Sequence, residues 1–136
     1  RIRRRAVGEW GRDHYRWLHD ELGRINRYGY FNCLLSDGDR LFAYRGFDGR
    51  RELHFVSRVP PYGKVKLLDQ DFEIDMGRVK DARTYGFVVA TRPLTDEAWV
   101  PFSPGQLMVF HRGKIVFSGA LRPHGRGRRQ GAGKNI

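Results

Sequence analysis

One cysteine, a run of alternating carboxylates and five histidines are the side chains here with the means to do chemistry. Cys33 lies in Tyr30-Phe31-Asn32-Cys33-Leu34-Leu35-Ser36. A thiol attacks as its thiolate, which needs a cationic neighbour or a base, and this apolar stretch points the other way. On a strand Cys33 shares a face with Phe31 and Leu35, so it reads as a buried packing group. A single cysteine also excludes an internal disulfide framework and a cysteine-based zinc site. Asp69, Asp71, Glu73 and Asp75 recur at every second position, which on one strand sets four carboxylates on one face. Oxygen ligands suit magnesium or calcium, but the turn glycine and loop spacing of such a site are missing. The run therefore reads as a solvated face pairing with arginines, with Gln70, Phe72, Ile74 and Met76 turned inward. His14 and His19 are five apart, the wrong interval for one helix face. His54 and His111 fall on strands and His124 lies near the end of the sequence. None has metal-ligand spacing, and no nucleophile elbow, phosphate loop or dinucleotide fingerprint is present, so no metal or cofactor is expected.

The elements that would position these groups begin with a helix over 9–26. Trp10, His14, Trp17, Leu18, Leu22 and Ile25 recur at helical spacing, and Gly29 is placed to stop it. Short strands follow. Two apolar runs flank Ser36-Asp37-Gly38-Asp39, which predicts a hairpin turn built by Ser36, Asp37 and Gly38, with Gly38 at positive φ and a return strand over Leu41–Tyr44. Gly46–Arg51 is a second turn, leading to a strand over Leu53–Ser57. Pro60-Pro61-Tyr62-Gly63 breaks the chain. Leu67–Met76 is expected as one strand. Phe87–Thr91, apolar on both faces, is expected as a central strand. Leu107–His111 and Lys114–Phe117 form a last hairpin through Arg112-Gly113. The pattern is α+β, one helix followed by antiparallel hairpins.

The chain has 136 residues, 40% hydrophobic and 13% aromatic, enough for one packed domain or part of a larger one. No apolar run reaches membrane-spanning length. The formal charge of +11 invites a nucleic-acid reading, but the charge sits at the ends. Of the 26 basic residues, four fall within 1–5 and five within 122–136, and all 15 acids lie between. Residues 6–121 thus carry close to +2, which argues against a nucleic-acid-binding domain. Gly125-Arg126-Gly127-Arg128-Arg129 is similar to an arginine-glycine RNA-binding tail, and reads more simply as a flexible, solubilising one.

Several ordered segments carry a resemblance. They are Phe31-Asn32 with Leu34-Leu35-Ser36-Asp37-Gly38; Leu53-His54-Phe55 and Arg58; Pro61 and Gly63; Leu67-Leu68-Asp69-Gln70-Asp71 and Glu73; Ala90-Thr91 with Pro93-Leu94-Thr95; then Trp99 and Pro104-Gly105. Together, over residues 28–117, they resemble the C-terminal half of a stand-alone class II glutamine amidotransferase, one of the N-terminal-nucleophile hydrolases. The resemblance implies part of an αββα sandwich and a glutamine or γ-glutamyl amide substrate, and the single cysteine fits a reducing cytoplasm. It also implies an N-terminal cysteine whose own α-amine is the base. The arginine, Asn-Gly pair and aspartate that handle glutamine in the family map to no residue here, so no catalytic, substrate-binding or metal residue is assigned. The nitrogen of Cys33 is tied up in a peptide bond and cannot serve as that base. Arg1 in place of a methionine suggests truncation or processing. The expected organisation is a basic leading segment over 1–8, the C-terminal part of an amidotransferase domain over 9–121 and a flexible basic tail over 122–136. Such a chain is expected to be inactive by itself. A noncatalytic interaction domain and a basic-tailed nucleic-acid-binding module are the rival readings.

Overall fold

The computed structural model describes residues 9–69, 73–79 and 85–120. The leading segment, Gln70, Asp71, Phe72, His124 and the basic tail lie outside the described residues. In chain order the elements are α1 (Arg12–Ile25), β1 (Cys33–Ser36), β2 (Arg40–Tyr44), β3 (His54–Arg58), β4 (Lys64–Lys66), β5 (Glu73–Asp75), α2 (Met76–Val79), β6 (Gly86–Ala90), β7 (Val100–Pro101), β8 (Leu107–His111) and β9 (Lys114–Gly119). The fold is mixed α+β, with every strand pair antiparallel.

A four-stranded sheet, in order β1-β2-β8-β9, forms the middle layer. Its residues alternate with the strand period, and both faces are apolar. Phe42, Tyr44, Leu107 and Val109 pack with Tyr15 and Leu22 of α1, joined by Trp10, Leu18, Phe31, Cys33 and Phe117. The intervening Ala43, Met108 and Phe110 pack the other way, with Leu53, Phe102, Phe55, Phe87 and Val89. That second core belongs to a three-stranded sheet, in order β6-β3-β7. The architecture is therefore helix, sheet, sheet. A small β4-β5 ladder follows, and Leu67 bridges to Thr95 beyond it.

The helix buries part of the stripe its apolar residues suggest: Leu22 is in the core and Trp10 and Leu18 pack against it. Tyr15 and Leu22 face the sheet, while Trp17 is 58% exposed and Ile25 54% exposed. Gly11 is the N-cap, so Trp10 lies outside the helix and stacks on Tyr15 from there. His14 is exposed and its Nδ1 accepts the Gly11 N–H, satisfying an otherwise orphaned donor. The helix ends at Asn26 instead of Gly29. Asn26 is buried, and its Nδ2 donates to the Gly29 carbonyl.

Three strand expectations also change. Leu67–Met76 is not one strand: β4 and β5 pair as a ladder, and Met76 opens α2. The central strand of the smaller sheet is β3, with β6 at its edge among the described residues. The β6 residues are all half-buried, so apolar character on both faces did not mean pairing on both edges. Cys33 is half-buried where full burial was expected, because β1 is itself an edge strand.

The turns are built from local chemistry. Gly38 has φ 92°, and Asp37 Oδ1 accepts the backbone N–H groups of Asp39 at 2.9 Å and Arg40 at 2.7 Å. Ser36 Oγ accepts the Gly38 N–H and donates to the Arg40 carbonyl. Arg112 and Gly113 both have positive φ, as a two-residue hairpin connection requires. In β9 the register shifts after Val109↔Phe117 to Phe110↔Ile115, leaving Val116 as an extra, bulged residue.

Gly46 is held by proximity: a Cβ there would sit 2.6 Å from the Phe31 carbonyl oxygen and 3.2 Å from Asn26 Oδ1. Gly38 is held only by its φ, since a Cβ there would meet nothing within 4 Å. Gly46→Ala should therefore cost about 2 kcal/mol or more, against about 1 kcal/mol for Gly38→Ala. Urea unfolding of the two variants measures the difference, and equal midpoints would refute the steric assignment.

Candidate functional site

The polar side chains with the most developed geometry are gathered between β3 and the segment after β6. Arg58 ends β3, and its Nε and Nη2 grip Glu97 Oε1 at 3.0 Å and Oε2 at 2.6 Å. Thr95 Oγ1 donates to Glu97 Oε2 at 2.6 Å and accepts the indole N–H of Trp99 at 3.0 Å. The result is a relay, Trp99 to Thr95 to Glu97, closed by a two-pronged guanidinium. Thr95 is buried, and the Arg58 and Glu97 side chains are only 15% and 18% exposed. Burial alone would raise the Glu97 carboxyl, but the hydrogen bonds from Arg58 and Thr95 outweigh it and hold the group below the usual carboxylate range.

The backbone explains the convergence. Leu68 N–H bonds to the Leu94 carbonyl and Asp96 N–H to the Lys66 carbonyl, laying residues 94–96 along the end of β4. Asp96 Oδ1 also accepts the Lys66 N–H. A cavity of about 260 Å³ opens beside the pair, lined by residues including Arg58, Tyr62, Lys64, Met76 and Glu97. An ionised carboxylate gripped by an arginine and a threonine has no proton to give. This arrangement fixes a loop. Arg58, Thr95 and Trp99 stood out in the sequence, but Glu97, which joins them, did not. An acid two residues beyond a threonine was the only available signal.

A second cluster lies at the turn end of the sandwich. His111 Nε2 meets Asp39 Oδ2 at 2.8 Å, and Arg40 Nη1 lies 3.3 Å from both Asp37 Oδ2 and Asp39 Oδ2. Arg40 Nε also donates to the Tyr15 hydroxyl. Slight burial raises the Asp37 carboxyl, and backbone N–H groups of Arg40 and Asp39 more than reverse this, leaving it lowered. Asp39 and Arg40 thus tie the two hairpins and α1 together, while Ser36, Asp37 and Gly38 shape the turn that presents them.

The other sequence candidates are dispersed. Cys33 packs toward α1, and burial pushes its thiol up, away from the thiolate. Asp69 pairs with Arg92 at 2.5 Å, Glu73 with Lys64 at 3.1 Å and Asp75 with Arg78 at 3.7 Å. Glu73 and Asp75 share a face of β5, but Asp69 lies off it, because the single strand expected over Leu67–Met76 is not formed. His19 Nε2 bonds to the Gly105 carbonyl at 2.7 Å, and His54 is buried beside Glu52. Among the described residues no group of three or more His, Cys, Asp or Glu could hold a metal ion. No described helix is long and apolar enough to cross a membrane.

The layered helix-sheet-sheet order places the chain among α+β sandwiches. Comparison with known proteins carries this further. The family model for class II glutamine amidotransferases matches residues 1–130. An uncharacterised protein of Methanocaldococcus jannaschii is 50% identical over 117 residues, 86% of this chain and 33% of that protein. Escherichia coli YafJ, named as a candidate glutamine amidotransferase, is 35% identical over 75% of this chain and 39% of its own length. The crystal structure of a predicted glutamine amidotransferase from Pseudomonas aeruginosa aligns with TM-score 0.63 and 28% identity, covering 81% of this chain and 42% of that one. The chain belongs to the class II glutamine amidotransferase family. It spans between a third and about two-fifths of the length of these relatives.

The Arg58–Glu97 geometry gives a pH dependence of known sign. Glu97 has a folded-state pKa below its ordinary 4.5, so its stabilisation is complete above that value and is lost as pH falls through the lower, folded value. Glu97→Gln should cost about 1–3 kcal/mol at neutral pH and flatten the acid limb of the stability curve. Thermal unfolding from pH 7 down to pH 3 checks this, and parallel acid limbs for variant and parent would count against the assignment.

Proposed function

We propose that this chain is the C-terminal scaffold portion of a class II glutamine amidotransferase. The complete enzyme hydrolyses the glutamine side-chain amide, or a related γ-glutamyl amide, through an N-terminal cysteine outside this chain. In that reaction the thiolate attacks the amide carbon, the C–N bond breaks and protonated nitrogen leaves as ammonia. Water then cleaves the thioester to give glutamate. The N-terminal α-amine, with a pKa near ~8, takes and returns the proton, which makes the protein an N-terminal-nucleophile hydrolase. A cytoplasmic setting suits the reduced thiol of Cys33.

The observation that carries the proposal is family membership combined with the state of Cys33. Its thiol is half-buried, raised in pKa and packed toward α1. Its nitrogen is an amide, so it has no amine base of its own. The open edges support the same reading. Among the described residues β6 and β9 each lack a partner on one side, and Leu34, Ile115 and Val116 stay exposed on the larger sheet. Strands and helices from the remainder of the longer enzyme would cover them.

The 136-residue chain should release no ammonia from glutamine, and its open edges should favour self-association. In the longer enzyme Cys33→Ala should lower stability modestly while the folded fraction keeps its turnover. Ammonia assays with size-exclusion chromatography check both. Glutamine turnover by the 136-residue chain, or complete loss of turnover in folded Cys33→Ala enzyme, would overturn the proposal. A stable, inactive monomer would favour the noncatalytic interaction domain.

A further inference from the structure

Arg45 follows β2 directly and is buried at 9% exposure. Its backbone N–H bonds to the Gln106 carbonyl, and its Nη1 donates to the Phe102 carbonyl. Its Nε is buried without any hydrogen-bond partner, and Nη2 makes no hydrogen bond to a described residue. The acids nearest in sequence are engaged elsewhere, Asp39 with His111 and Arg40. Asp48 Oδ1 accepts the Arg50 N–H at 2.7 Å, and Glu52 Oε2 faces His54 Nε2 at 3.5 Å. A guanidinium cannot shed its proton when buried, as a lysine can. Its charge must therefore be met by an anion, and one carbonyl oxygen is a poor match.

The other sheltered arginines show what is missing. Arg58 grips Glu97 with its Nε and Nη2, and Arg40 sits between Asp37 and Asp39. Arg45 presents the same Nε–Nη2 edge as Arg58, with no acid on it among the described residues. Two parallel N–H groups on one edge match the two oxygens of a carboxylate.

We propose that Arg45 is a carboxylate receptor at the end of the sandwich where β2 leaves the sheet, its Nε–Nη2 edge filled in the working protein by a carboxylate from outside the described residues. The same chemistry has two sources: an Asp or Glu side chain of the longer polypeptide, or the carboxylate of a small amino-acid ligand such as glutamine. The receptor role itself is independent of the catalytic reading above.

The test is thermal melting in sodium acetate against sodium chloride at equal ionic strength. In the 136-residue chain, acetate should raise the melting temperature by about 2 °C or more. Arg45→Met should abolish that shift and should melt no lower than the parent in chloride, because it removes an uncompensated buried charge. If Arg45→Met fails to fold, Arg45→Lys, which keeps the charge without the two-pronged edge, should lose the acetate shift instead. The longer polypeptide separates the sources. A carboxylate from its own chain makes Arg45→Met destabilising there and acetate inert. A ligand carboxylate makes glutamine raise the melting temperature of the parent but not of Arg45→Met. An equal acetate response in parent and variants would overturn the proposal, as would a large loss of stability in the 136-residue Arg45→Met chain in chloride.

Discussion

A single sheet with two buried faces is the constraint on which the rest of the structure depends. In β2 and β8 each step along the strand sends an apolar side chain to the opposite layer, the large ones including Phe42 and Val109 toward α1 and Met108 and Phe110 toward the smaller sheet. Fully burying one such side chain is worth roughly 1.5–3 kcal/mol. A register slip of one residue would exchange the two sets and misplace both layers at once. This explains why both hairpins of that sheet have tightly specified turns, one built by Asp37 and Gly38 and the other by Arg112 and Gly113. The turns fix the register, and the register fixes the cores.

Polar groups are tolerated in this layered body where each finds a partner. Tyr44 illustrates it. Its ring is buried in the core below α1, and its hydroxyl donates to Asn26 Oδ1 at 3.1 Å. The same oxygen accepts the Phe47 N–H at 2.9 Å. One amide thus ends the helix, satisfies a core tyrosine and anchors the loop after β2. Asn32 acts alike, accepting the Gly46 N–H and donating to the Glu52 carbonyl. Burial together with a neighbouring Asp48 raises the Tyr44 hydroxyl, so it stays a donor. Arg45 Nε and His54 Nδ1 depart from this rule, and of the two only the arginine carries a fixed charge.

What could be read from the sequence was what is decided locally. The hairpin turns at Asp37-Gly38 and Arg112-Gly113 were legible because glycine's backbone freedom and a short acceptor side chain act within four residues. The buried side of α1 was not. Trp17 and Ile25 are as apolar as Tyr15 and Leu22, and only the sheet beneath the helix selects between them. Apolarity on both faces of Phe87–Ala90 likewise could not report which edge pairs, because side chains project from faces while pairing uses the backbone. The Leu67–Met76 stretch alternated like a strand, yet β5 keeps only three of its residues, paired to a β4 the sequence had not announced. Glu97 was invisible for the same reason. Its meaning depends on Arg58, which lies 39 positions away in the chain.

The family resemblance in this chain is carried by residues that build. Gly38 and Asp37 shape a turn, Arg58, Thr95 and Trp99 lock a loop around Glu97, and Gly105 supplies the carbonyl that His19 bonds. None of these is a nucleophile, a base or an oxyanion donor in the arrangement seen. Such positions identify a fold strongly because their geometry is demanding, and they identify a reaction only through the company that fold keeps. Arg45, with its Nε buried and without a hydrogen-bond partner, is the place where the proposed carboxylate would meet the scaffold.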